Sequence, residues 1–139
     1  MREPGGIYSP FSAVRGAPLA WAAVLAWMLA IVALSALPIE GSGWIRVPLG
    51  IDKWMHAAFY GLLAVLGAVA WSATGAGSAV AAVRGAALAS SYGAVVEWTQ
   101  SFLPRTPSVA DWVADLVGAV IGAAGWWLAR RRGQRTEGR

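Results

Sequence analysis

Two short polar clusters interrupt an otherwise apolar chain: Asp52-Lys53-x-x-His56-x-x-x-Tyr60, and Glu97-x-x-Gln100-x-Phe102-x-Pro104-Arg105-x-x-Ser108-x-x-Asp111-x-x-x-Asp115. They contain the only His, the only Lys and four of the seven acids. His56 and Glu97 are the residue types for general acid/base work, with Asp111 to orient the imidazole or a cation. Asp52, His56 and Tyr60 recur at i, i+4 and i+8, one stripe of a helix. Asp52 is thereby placed to orient or charge His56, with Tyr60 a turn deeper; a polar helix start carrying an interfacial His and Tyr has the same spacing. Lys53 and Arg105 are cations that could hold an anionic group, Arg105 bidentately from the stiff turn Leu103-Pro104-Arg105-Thr106-Pro107-Ser108. The plainer role of Arg105 is an interfacial anchor.

Glu97 and Gln100 share a face that runs back through Gly93, Ser90 and Ala86, residues small enough to admit a neighbouring helix. Glu97 is therefore expected to point into a bundle, as an acid/base group or as the partner of Lys53 or Arg105. Ser108-x-x-Asp111 reads as a capping box, with Ser108 at the N-cap and Asp111 three residues on. That pattern leaves Asp115 unexplained. Asp111 and Asp115 stand above Gly118, Gly122 and Gly125 on one stripe, a polar pocket over a close helix contact. A metal on His56, Glu97, Asp111 and Asp115 has no short-range ligand motif behind it, so neither a metal nor a cofactor is expected.

The elements that must position these residues are membrane helices. With 139 residues, 58% apolar and 13% charged, the chain is too apolar for an ordinary soluble domain. Four spans of about 20 residues fit its length. The first runs from Pro18 to Leu37 without a charge. The second is the uncharged run Ala57–Thr74, which reaches across comfortably only if it starts near Asp52. The third is roughly Ala79 to Leu103, with Arg84 and Glu97 towards opposite ends, and the fourth Val109 to Ala129. The expected fold is all-α, a polytopic transmembrane bundle: an N-terminal segment 1–17, a membrane domain 18–129 and a basic tail 130–139. Two alternatives are a re-entrant pair for the middle spans and a cleaved secretory signal for the first. Without cysteine the chain can form no disulfide, thiolate metal site or cysteine nucleophile.

Loop charge sets direction. With four spans, eight basic residues (Arg2, Arg15, Arg84 and five from Arg130 to Arg139) share the side of the termini, against Arg46, Lys53 and Arg105 opposite. The termini are expected in the cytoplasm of a multi-pass cell-membrane protein, and both polar clusters at the outer face. The arginine tail beside an apolar helix reads as an anchor on anionic lipid, not as a nucleic-acid site. Most of the nine tryptophans fall at the two interfaces; Trp27 does not and is expected to pack within the bilayer.

At these residues the chain resembles the VanZ-like family of small polytopic membrane proteins. The likeness covers Leu19 to Ala129. It rests on Asp52-Lys53-Trp54-Met55-His56 with Tyr60, on Glu97-Trp98-Thr99-Gln100, Phe102, Pro104-Arg105, Ser108 and Asp111, and on Gly118 with Gly122. Asp115 departs from a pattern that commonly has Asn there. The resemblance implies a helical membrane protein associated, in its namesake, with low-level resistance to teicoplanin-type glycopeptides; it supplies no reaction.

Three functions remain open on the sequence. The first is binding or modification of an anionic amphiphile of the cell envelope, such as a lipid-linked phosphate, a peptidoglycan precursor or a lipid-tailed antibiotic. Its binding residues would be Asp52, Lys53, Tyr60, Gln100, Arg105, Ser108 and Asp115, its acid/base groups His56, Glu97 and Asp111. The second is a structural or partner-binding protein with a salt-bridge network. The third, an ion pathway, is disfavoured because the other halves of the spans carry almost no ionisable groups.

Overall fold

The computed structural model describes residues 10–36, 51–102 and 108–137. Four helices follow one another: α1 (Pro10–Ala36), α2 (Ile51–Ala73), α3 (Ser78–Gln100) and α4 (Val109–Glu137). All four are long and apolar enough to cross a membrane. The protein is thus an all-α, multi-pass bundle. At about 1.5 Å per residue, α2 and α3 are each roughly 34 Å long, enough for a hydrocarbon core of about 30 Å. Both are therefore long enough for full crossings.

Both terminal helices run beyond the limits of the expected membrane domain. The first helix begins at Pro10, inside the expected N-terminal segment, and the fourth continues to Glu137 through the expected tail. Charge ends a membrane span without ending a helix, and arginine is a good helix former. The turn between α2 and α3 is tight. Gly75 adopts φ 93°, a left-handed conformation that suits glycine, while the Ala76 N–H returns to the Trp71 carbonyl at 3.1 Å.

The second helix is the hub, packed against α1, α3 and α4, while α3 and α4 also meet each other. Close approach is achieved by glycine. A Cβ on Gly118 would stand 2.0 Å from the Ala57 carbonyl oxygen, and one on Gly122 2.2 Å from that of Gly61. Across the other interface, a Cβ on Gly85 would lie 2.3 Å from the Ala64 carbonyl oxygen. Backbone-to-backbone packing of this kind replaces the hydrophobic drive that lipid cannot supply. Gly125 has nothing within 4 Å and takes no part in the expected stripe.

The first helix is tied on by polar side chains. The Trp27 indole donates to the Phe59 carbonyl at 2.9 Å and stacks on the Phe59 ring, as expected of a tryptophan within the bilayer. The Tyr92 hydroxyl donates to the Met28 carbonyl at 2.7 Å. Such interhelical bonds contribute about 0.6 kcal/mol each on average in a membrane. At one end of the bundle, arginines lie on tryptophans: Arg84 over Trp71, Arg130 over Trp126 and Arg131 over Trp127. Asp52, Glu97, Asp111 and Asp115 lie towards the other end.

Candidate functional site

The start of α2, the end of α3 and the start of α4 converge, and the two polar clusters become one site. The Lys53 ammonium reaches from α2 to Asp111 on α4 and also pairs with Asp52 at 2.8 Å. One turn deeper, His56 Nδ1 lies 2.8 Å from Oδ1 of Asp115, which is fully buried. With Asp115 ionised, its carboxylate accepts from the imidazole Nδ1–H, and Nε2 is the ring nitrogen outside this contact. From α3, Glu97 is 7% exposed and its Oε2 accepts the Ser108 backbone N–H at 2.9 Å.

The last contact revises the expected capping box. Ser108 does cap α4, its hydroxyl accepting the Asp111 N–H at 3.3 Å. In a full box the acid at 111 would return to the Ser108 N–H. Here Glu97 of the neighbouring helix takes that donor, and Asp111 is released to Lys53. The expected ion pair between Glu97 and Lys53 does not occur among the described residues.

The orienting partner of His56 also differs. Local spacing suggested Asp52, and Asp111 was the expected orienter across helices. Asp52 instead lies at the rim, its side chain 52% exposed, and serves Lys53. Asp115 occupies the orienting position because the contact of Gly118 with Ala57, the residue next to His56, draws α4 onto α2 at that level. Gly93 makes room from the third side. A Cβ there would stand 2.8 Å from Asp115 Oδ2, an oxygen that is buried and has no hydrogen-bond partner.

The remaining sequence candidates fall as follows. Tyr60 is buried beneath His56, the rings near parallel with centroids 6.4 Å apart, so it floors the site. Gln100 is buried at the end of α3. Arg105, with Pro104 and Pro107, lies outside the described residues.

Glu97 also borders an open groove of about 320 Å³ between the end of α3 and the start of α4. Ala94, Trp98, Ser101, Val109 and Trp112 line most of the rest, and its surface is mainly apolar. The Trp112 indole nitrogen is buried there without a partner. Sequence reasoning placed Trp98 and Trp112 only in the interfacial belt. The missed signal was Trp112 sharing the first turns of α4 with Ser108 and Asp111.

In sum of charge, the described site holds Asp52, Glu97, Asp111 and Asp115 against Lys53 and the ionisable His56. Glu97 and Asp115 are buried, and buried acids require donors or cations to balance them. Comparison with protein-family models, with curated proteins and with solved structures finds no match.

Proposed function

We propose that this chain is a cell-membrane protein whose outer-face pocket binds, and in some turnover modifies, an anionic amphiphile of the cell envelope. The observation that carries this reading is the continuity of an apolar groove with a buried polar cluster through Glu97. An acyl or prenyl tail suits the open, mainly apolar groove. A phosphate head suits donors such as the unpartnered Trp112 indole N–H and Lys53, with Arg105, outside the described residues, as a further candidate from the sequence. His56 and Glu97 are the groups available for proton transfer if chemistry follows. Cytoplasmic termini, and hence an outer-face site, rest on the eight-to-three bias of basic residues. The resemblance to the VanZ-like family agrees with an envelope role and leaves the ligand open.

A second reading has its own support. Lys53–Asp111 and His56–Asp115 both join α2 to α4, and Glu97–Ser108 joins α3 to α4, so the cluster also serves as a scaffold. Thermal melting in detergent separates the two. Added polyprenyl phosphate should raise Tm of the wild type, and Trp112→Phe or Arg105→Gln should remove that rise while leaving the unliganded Tm unchanged. Absence of any rise, or an equal rise in both variants, would reject the binding reading.

A further inference from the structure

The geometry points to a divalent transition-metal site formed by His56, Glu97 and Asp111. One donor atom from each lies within 4.8 Å of the other two, although they come from three different helices. Around a tetrahedral zinc with bonds of roughly 2.1 Å, ligand atoms stand about 3.4 Å apart. Closing the triangle takes shifts of about 1 Å, within reach of side-chain rotation.

Each of the three residues is held by one polar atom and offers another. His56 is fixed through Nδ1 by Asp115, leaving Nε2. Glu97 is fixed through Oε2 by the Ser108 N–H, leaving Oε1. Asp111 is held through Oδ1 by Lys53, leaving Oδ2. A metal-binding histidine characteristically donates its other ring N–H to a carboxylate, which fixes its tautomer and orientation. Asp115 is that carboxylate, fully buried, with its second oxygen unpartnered.

Charge argues in the same direction. The described site has more acids than cations, and carboxylates drawn into a bundle without matching cations are costly. A divalent ion reverses that balance and leaves open coordination positions for a phosphate oxygen or a water. One imidazole with two carboxylates favours zinc or manganese over magnesium or calcium, which prefer all-oxygen sets. The Lys53 ammonium on Asp111 is the competing cation. This site goes beyond the lipid-binding reading and does not depend on it.

The test uses full-length protein purified in detergent through a histidine-free tag, stripped with chelator and titrated with Zn(II), Mn(II) and Co(II) without lipid. The expected result is one ion per chain by elemental analysis, with a Co(II) absorption spectrum of nitrogen and oxygen ligation. His56→Gln and Glu97→Gln should abolish stoichiometric binding. Asp115→Asn should weaken it about 10- to 100-fold as a positioning residue, and Lys53→Met should tighten it. The Co(II) spectrum of the wild type keeps the test valid if a variant fails to fold. No stoichiometric ion in the wild type, or binding indifferent to both His56→Gln and Glu97→Gln in folded protein, overturns the proposal. Failure here leaves the response to polyprenyl phosphate standing, and failure of that response leaves the metal titration standing.

Discussion

His56 Nδ1 and Asp115 Oδ1 meet at 2.8 Å across 59 positions of sequence. The contact joins α2 to α4 at the depth where Gly118 rests on the Ala57 backbone. The packing of two helices thus sets the orientation of the one histidine in the chain. It follows that the site and the bundle interface should respond to mutation separately, according to what each side chain touches.

Asp115→Ala should be among the most damaging single changes at the site. It strands His56 in a half-buried position and opens a void beside Gly93; breaking a buried pair in this way costs about 3–5 kcal/mol. Asp115→Asn keeps an acceptor for the imidazole N–H and should cost about 1 kcal/mol. Thermal or denaturant unfolding in mixed micelles measures the difference. Equal losses for the two variants would show that the carbonyl-type acceptor is not what matters.

Glycine substitutions test the packing independently of the polar groups. Gly118→Ala puts a Cβ 2.0 Å from the Ala57 carbonyl oxygen, so α2 and α4 must separate. Overpacking of this kind costs about 1–3 kcal/mol or more. Gly125→Ala meets nothing within 4 Å and should be neutral or stabilise by up to about 1 kcal/mol through helix propensity. Similar melting temperatures for the two variants would mean that α4 does not seat on α2 as described.

Much of this arrangement was legible in the sequence, and the exceptions have physical causes. Long, mostly apolar segments located all four helices. The small-residue face of α3 correctly turned Glu97 inward, and Gly118 with Gly122 correctly marked a close contact. Spacing within one helix could not reveal that His56 is served by Asp115, because that pairing depends on the register of α4 against α2. The same limit hid the transfer of the Ser108 N–H from Asp111 to Glu97. The fourth helix outruns the expected span because arginines signal the bilayer boundary while still favouring helix. The groove and the buried Trp112 nitrogen arise only from packing.

Glu97→Gln isolates the charge from the cap. The amide oxygen can still accept the Ser108 N–H, so the variant should stay within about 1 kcal/mol of wild-type stability. Glu97→Ala leaves that N–H without its acceptor and should lose about 1–3 kcal/mol. Melting curves of the two variants decide the matter; a Gln variant as unstable as the Ala variant would show that the carboxylate charge itself holds α3 to α4.

The absence of cysteine allows a direct test of orientation. Single cysteines at Ser42, Thr106, Ser78 and Gly133 should react with an impermeant thiol reagent in intact cells only at the first two. Labelling at 78 or 133 without permeabilisation would invert the bundle and place the polar site on the cytoplasmic face.

The central claim is that the groove beside Glu97 and Trp112 receives the tail of an amphiphile whose head enters the polar cluster. Photocrosslinking with a diazirine-tailed polyprenyl phosphate, in protein reconstituted into vesicles and mapped by mass spectrometry, tests it most directly. Adducts should concentrate at Ala94, Trp98 and Val109, and excess unlabelled polyprenyl phosphate should suppress them. Adducts spread over lipid-facing positions such as Leu25 and Leu29 of α1, unaffected by the competitor, would contradict it.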